Sequence, residues 1–262
     1  MPLYLDQMNR AVEIPSAPQR IISLVPSQTE LLFDLGLDDE IVGITKFCIH
    51  PEDKVKSKAK IGGTKQLNID LIKKLKPDLV IGNKEENEQD QIEELMRHFP
   101  VWMSDISNLE YALDMIGKVG EITGKIDGAT TLASTIKQQF INITITQSSL
   151  KAAYFIWRKP YMIAGKGTFI DDMLKKCGLT NAFDAGRYPE VTAEQLIQTK
   201  PDLIFLSSEP YPFKEKHIAE FKTICPKATV KVVDGEMFSW YGSRLLQAPG
   251  YFEELNRLIE LD

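Results

Sequence analysis

Cysteine, histidine and long apolar runs are all scarce in this chain of 262 residues, and each scarcity excludes something. The three cysteines, Cys48, Cys177 and Cys225, are far apart and odd in number. That pattern is neither a disulfide framework nor a zinc-finger spacing. Burial as small apolar residues accounts for Cys177 and Cys225. The three histidines, His50, His98 and His217, share no ligand spacing, and Cys48-x-His50 is a lone pair of candidates. A dedicated zinc or manganese site would show more. No Ser-His-Asp or Cys-His nucleophile arrangement emerges from so few histidines. No apolar run approaches the ~20 residues of a spanning helix. Basic residues number 31 against 37 acidic ones, a net charge of −6, which argues against nucleic acid as a partner. The opening Met1-Pro-Leu-Tyr-Leu-Asp6 has neither a basic nor an apolar leader region. The expectation is therefore a cytoplasmic chain, or one already separated from its signal. What is present is the composition of a soluble globular protein, 43% hydrophobic and 26% charged, with room for one large domain or two ordinary ones.

The most informative feature is a repeat. Asn68-Ile-Asp70-Leu-Ile-Lys-Lys-Leu-Lys-Pro77-Asp78-Leu-Val-Ile and Thr192-Ala-Glu194-Gln-Leu-Ile-Gln-Thr-Lys-Pro201-Asp202-Leu-Ile-Phe share one design. Each is a capping residue, an acid two places on, a short helix, a Lys-Pro-Asp break and an apolar strand. The offset is constant, since 201 − 77 and 194 − 70 both equal 124. One repetition at half the chain length predicts two similar lobes rather than a solenoid, with a ligand in the cleft they form.

The periodicity predicts a hairpin over residues 3–14 turning at Asn9-Arg10, then strands Arg20–Val25, Glu40–Thr45, Leu79–Gly82 and Val101–Ser104 alternating with helices. Gly36 suits the left-handed end of the first helix. From Asn108 to about Thr146 the pattern becomes helical throughout, and a helix over Lys125–Ile145 would be about 30 Å long. It is expected to be the only crossing between halves and to limit closure to a small rocking motion. Strands Ala152–Trp157, Leu203–Leu206 and Thr229–Val233 follow, with helices Phe169–Cys177, Lys214–Thr223 and a last one to Leu261. The expected fold is α/β with two Rossmann-like lobes. They comprise residues 1–108 and 151–262, joined by a helical segment over 109–150.

Ligands of open α/β sheets bind beyond the carboxyl ends of the strands. Those ends carry Lys46 and Phe47; Lys84 and Glu85; Trp157, Arg158 and Tyr161; Glu209 and Tyr211; and Phe238, Trp240 and Tyr241. Such a load of aromatics points to a ligand, the alternative being rings that pack one lobe against the other. Glu85 and Glu209, again 124 apart, could bind a cation or ligand amides; the surrounding acidic run reads most simply as a solvated helix start. Ala164–Thr168 lacks the spacing of a phosphate loop, so packing is expected there. Asp70 and Glu194 are explained locally as carboxylates at the positive ends of their helices, worth ~0.3–1 kcal/mol each. Thr192 with Gln195 fits a capping box. The matched positions of the two acids also suit docking onto two arginines of a symmetric partner.

The paired Lys-Pro-Asp units, the opening Arg20-Ile-Ile-Ser-Leu-Val-Pro-Ser-Gln-Thr-Glu-Leu-Leu-Phe, the Ile41-Val-Gly-Ile-Thr strand, the Gly62-Gly63 turn and the long middle helix together resemble the helical-backbone metal receptor family. These are the class III substrate-binding proteins of ABC importers for ferric siderophores, haem and cobalamin. The resemblance covers nearly the whole chain and is nearest to the cobalamin branch. It implies that Asp70 and Glu194 dock onto arginines of a permease dimer. It also implies pocket positions at Phe47, Thr64, Asn83, Tyr161, Tyr188, Phe238 and Trp240. Thr64 and Asn83 stand where cobalamin binders have aromatics, and Trp157, Trp240 and Tyr241 would supply ring surface instead. A location in the periplasm or cell envelope follows from the resemblance, as does the absence of catalysis.

The expected protein is a monomeric receptor without cofactor or bound metal of its own. It would hold a corrinoid between its lobes, with Lys46, Lys84, Arg158 and Glu209 orienting the ligand, and would not insert into the membrane. A ferric siderophore or haem is the alternative ligand. A cytosolic chelatase-like tetrapyrrole enzyme is a rival of another class, needing His50 beside Glu85 and Glu209. A pure protein-interaction module is the last rival.

Overall fold

The computed structural model describes residues 1–145 and 148–260; Thr146 and Leu261, expected ends of helical segments, lie outside them. Two compact units emerge. Unit 1 comprises residues 1–106, 110–137 and 241–244, and unit 2 comprises 107–109, 138–240 and 245–262.

Unit 1 opens with the expected hairpin, β1 (Leu3–Leu5) and β2 (Ala11–Glu13), paired antiparallel with Asn9 at positive φ in the turn. Then follow β3 (Ile21–Ser23), α1 (Pro26–Asp34), β4 (Ile41–Ile44), α2 (Glu52–Val55), β5 (Ala59–Lys60), α3 (Ile69–Leu75), β6 (Leu79–Asn83), α4 (Gln89–Met96) and β7 (Val101–Ser104). The sheet runs β5-β4-β3-β6-β7 with every pairing parallel. Its central strands β3, β6 and β7 are buried along their whole length, and Ile21, Ile22, Val80 and Ile81 are fully enclosed. Helices α5 (Leu109–Thr123) and α6 (Ile126–Asn142) complete this part of the chain.

In unit 2, β8 (Lys151–Trp157) and β9 (Tyr161–Ile163) form an antiparallel pair, followed by α7 (Phe169–Lys176), β10 (Thr180–Asn181), β11 (Glu190–Val191) and α8 (Ala193–Thr199). Then come β12 (Leu203–Ser207), a 3-10 turn at Glu215–His217, α9 (Ile218–Ile224), β13 (Thr229–Val233), α10 (Gly235–Ser239) and α11 (Ala248–Glu260). The order is β11-β9-β8-β12-β13, with β10 on β8. The α/β expectation is met in both units.

The repeat is exact in the backbone. Helices α3 and α8 and strands β6 and β12 begin and end 124 residues apart (193 − 69, 199 − 75, 203 − 79, 207 − 83). Both helices stop at a left-handed lysine, Lys76 at φ 46° and Lys200 at φ 49°. The following proline cannot continue the helix. The aspartate then has a structural task. Asp78 accepts the N–H groups of Gln19 and Arg20 at 2.8 Å each, and Asp202 accepts that of Lys151 at 2.8 Å. Each carboxylate thereby holds the start of the neighbouring strand. Arg20 donates to the Leu75 carbonyl and closes the end of α3.

Three expectations are revised. The middle helix is α6, of 17 residues or about 25 Å, separated from α5 by Gly124 at φ 72°. It is not the only crossing, because Ser107–Leu109 belong to unit 2 and Tyr241–Arg244 to unit 1. The late segment is fastened to unit 1 by Arg244, whose Nε donates to Glu30 Oε2 at 2.9 Å and whose Nη2 also bonds Glu30. Cys225 is half-buried, whereas Cys48 and Cys177 are buried as small apolar groups are.

Candidate functional site

In unit 1 the carboxyl end of β4 leads into Lys46 and Phe47. Phe47 is 51% exposed, with the Lys46 ammonium 5.1 Å from its ring centroid. Beneath it Cys48 lies buried against Thr29 and Thr45, so the loop is anchored by its third residue. Thr64, half-buried in the Gly62-Gly63 turn, gives its carbonyl to Asn87 Nδ2 at 3.0 Å, which links this turn to the end of β6.

Asn83 ends β6 and is 1% exposed. Its Nδ2 donates to Ser104 Oγ at 3.0 Å, and its Oδ1 accepts the N–H groups of Glu85 and Glu86. Asn83 therefore shapes the loop from within, a correction to its expected place on the ligand surface. Lys84 pairs with Asp105 at 2.6 Å. Glu85 and Glu86 are half-buried, whereas Glu88, Asp90 and Glu93 of the same acidic run are exposed around the start of α4, as expected. Burial pushes the Glu86 carboxyl up, and Lys65 opposes that shift.

In unit 2 the carboxyl ends of the strands are aromatic. Trp157 is 39% exposed and packs edge-on against Tyr211 at 5.6 Å. Its Nε1 donates to the Lys159 carbonyl at 3.2 Å. Arg158 donates from Nε and Nη2 to Glu220 Oε2, at 3.0 and 2.7 Å, and the Tyr161 hydroxyl donates to the other oxygen. Burial, with the Glu220 hydrogen bond and charge, pushes the Tyr161 phenol up to about 12. Glu220 loses solvation, yet the Arg158 and Tyr161 bonds hold its carboxyl below the ordinary value. Glu209 accepts from Ser239 Oγ at 2.5 Å and Trp240 Nε1 at 2.9 Å. Tyr188 is half-buried just before β11.

Three rings expected at the ligand surface are buried instead. Phe238 is 0% exposed, with ring centroids 4.8 Å from Phe252 and 5.1 Å from Tyr154. Trp240 is 5% and Tyr241 6% exposed. Phe238 packs against rings of its own unit, and Trp240 gives its indole N–H to Glu209, which lets these two side chains be buried. Glu220 and Glu30 were missed by sequence reasoning. Their partners lie 62 and 214 residues away, and no local pattern signals such pairs.

The two acids of the repeat are exposed. Asp70 lies in the first turn of α3 behind Asn68, whose side chain accepts the Leu71 N–H at 3.0 Å. Glu194 lies in the first turn of α8 behind the complete capping box of Thr192 and Gln195. The Glu194 carboxyl is lowered by its own backbone N–H and the Thr192 hydroxyl. The glycine-rich Ala164–Thr168 loop packs on 185–187: a Cβ at Gly165 would meet the Ala185 carbonyl oxygen at 2.1 Å.

The family model described as periplasmic binding protein matches residues 21–224, well over half of the chain. The chain belongs to that family. Its members and structural neighbours are substrate-binding transport proteins, not enzymes, which sets aside the chelatase-like rival. The vitamin B12-binding protein of Vibrio campbellii is 27% identical over 195 residues, 72% of this chain and 70% of that one. An uncharacterised ABC transporter substrate-binding lipoprotein of Bacillus subtilis is 30% identical over 212 residues, 76% of this chain and 67% of that one. Among solved structures, the periplasmic vitamin B12-binding protein of Vibrio cholerae superposes with a TM-score of 0.81 at 21% identity, covering 95% of this chain and all of that one. That last likeness is one of fold. Among the described residues, no helix is long and apolar enough to cross a membrane.

Proposed function

We propose that this periplasmic binding protein takes up a corrinoid with the carboxyl-end loops of its sheets and delivers it, as a monomer, to an ABC permease dimer at the cell envelope. It does so without a catalytic step or a resident cofactor. The observation that carries the reading is ring surface left in solvent at strand ends, Phe47 at 51% and Trp157 at 39% exposure. Large exposed rings on loops beyond a parallel sheet suit a broad, mostly apolar ligand. Thr64, Tyr161, Tyr188 and Tyr211, all half-buried nearby in their own units, would complete that surface. Lys46, Lys84, Glu85, Arg158 and Glu209 would orient the ligand's polar groups. Names of relatives that bind vitamin B12 support the same reading.

Delivery is assigned to Asp70 and Glu194, whose exposed carboxylates stand at equivalent positions on α3 and α8. Charge-assisted pairing with arginine is the chemistry they suit. The test is titration of the full chain with cobalamin, cobinamide, haem and a ferric siderophore, followed by tryptophan fluorescence. Saturable quenching by the corrinoids is expected, weakened at least tenfold in W157A. Silence from both corrinoids would end the reading. D70A/E194A should keep corrinoid affinity and lose uptake in cells carrying the cognate permease.

A further inference from the structure

Arg158 directly follows β8 at a strand end of unit 2, yet it is not an open positive charge. Glu220, in the first turn of α9, accepts the Nε and Nη2 hydrogen bonds of Arg158 through one oxygen, and the Tyr161 hydroxyl through the other. The two side chains are 29% and 26% exposed, so solvent screens the pair only in part. Arg158 is held further by Tyr211, which packs against Trp157. One carboxylate therefore neutralises the arginine and holds the Tyr161 hydroxyl beside it. Unit 1 treats one of its two strand-end lysines in the same way, pairing Lys84 with Asp105, while Lys46 lies over the Phe47 ring.

We propose that Glu220 sets the charge selectivity of the receptor, neutralising Arg158 so that the loops accept a neutral, ring-bearing chelate and reject anionic ones. This rests on the ligand-binding role proposed for those loops. Glu220 is a positioning and specificity residue. An uncompensated arginine at this place would favour anionic iron chelates, because a bidentate guanidinium pairs with catecholate or carboxylate oxygens.

The test uses the full chain as wild type, E220Q, R158Q and R158Q/E220Q. Trp157 is the well-exposed tryptophan, since Trp102 and Trp240 are buried, so collisional quenching by iodide, caesium and acrylamide reads the charge beside it. E220Q should raise the iodide-to-caesium quenching ratio at least twofold, R158Q should lower it by a similar factor, and the double variant should restore it. Acrylamide quenching should not change. Binding of a ferric tris-catecholate should tighten at least fivefold in E220Q and return to the wild-type value in the double variant. An unchanged quenching ratio in E220Q, a gain that persists without Arg158, or no gain for the anionic chelate would overturn the proposal. R158Q predicts a shift of opposite sign and keeps the test decisive if E220Q does not fold. Wild-type protein silent to cobalamin would overturn the corrinoid reading, while the ratios would still report on Glu220.

Discussion

The two units use one scaffold and end it differently. Helices α3 and α8, the left-handed Lys76 and Lys200, and strands β6 and β12 coincide at an offset of 124 residues. Beyond the strands the likeness stops. Unit 1 closes on amides and hydroxyls: Gln28 donates to Ser104, which also accepts from Asn83, while Asn87 bonds the backbone at both Asn83 and Thr64. Unit 2 closes on rings, with Tyr154, Phe205 and Phe238 in mutual contact, Phe252 against Phe238, and Ser207, the counterpart of Asn83, accepting from Tyr154. The difference teaches that the repeat specifies where a strand ends, and the side chains gathered around that end specify what chemistry stands there.

The comparison can be broken most severely at Phe238. If it belongs to the ring core of unit 2, F238A should cost about 3–5 kcal/mol in urea unfolding. A change below about 1 kcal/mol would return Phe238 to the ligand surface. In unit 1, N83A removes a donor to Ser104 and an acceptor for two N–H groups in a buried place, and should cost about 2–3 kcal/mol by the same measurement. S207A, at the equivalent position, loses the acceptor of the Tyr154 hydroxyl and of a long Glu209 N–H bond and should cost about 1 kcal/mol.

The shared scaffold can be sharpened through its aspartates. D78A leaves two backbone N–H groups without their carboxylate and D202A leaves one, so losses of about 2 and about 1 kcal/mol are expected. Equal losses would show that the two breaks are held by something other than these bonds.

The smallest effect concerns Lys73, whose counterpart at 197 is an exposed isoleucine. Lys73 pairs with Glu94 at 2.8 Å, and hydrogen bonds from Lys73 and His98 lower the Glu94 carboxyl to about 2. A depressed carboxylate pKa stabilises the fold above the ordinary value near 4.5 and ceases to do so as pH falls toward 2. Amide exchange in α3 should therefore quicken over that range more than in α8. An identical response in both helices would contradict the assignment.

Much of the fold was legible because its causes are local. Apolar spacing, Asn68 and Thr192 as caps, and prolines at 77 and 201 each act within a few residues of themselves. Less of the site was legible. Sequence reasoning placed Phe47 and Trp157 at strand ends, where they are exposed. It gave the same role to Phe238, Trp240 and Tyr241, which are buried, because an aromatic at a strand end looks alike whether it meets solvent or other rings.

The sequence by itself determined the repeated helix, break and strand, and with them the α/β class, since backbone preferences and periodicity are carried by neighbours along the chain. Only the tertiary structure decided which rings remain in solvent, that residues 241–244 join unit 1 through Glu30 and Arg244, and that Arg158 is neutralised by Glu220. Those outcomes depend on side chains brought together across 62 to 214 residues, where burial and charge pairing are properties of the packed molecule.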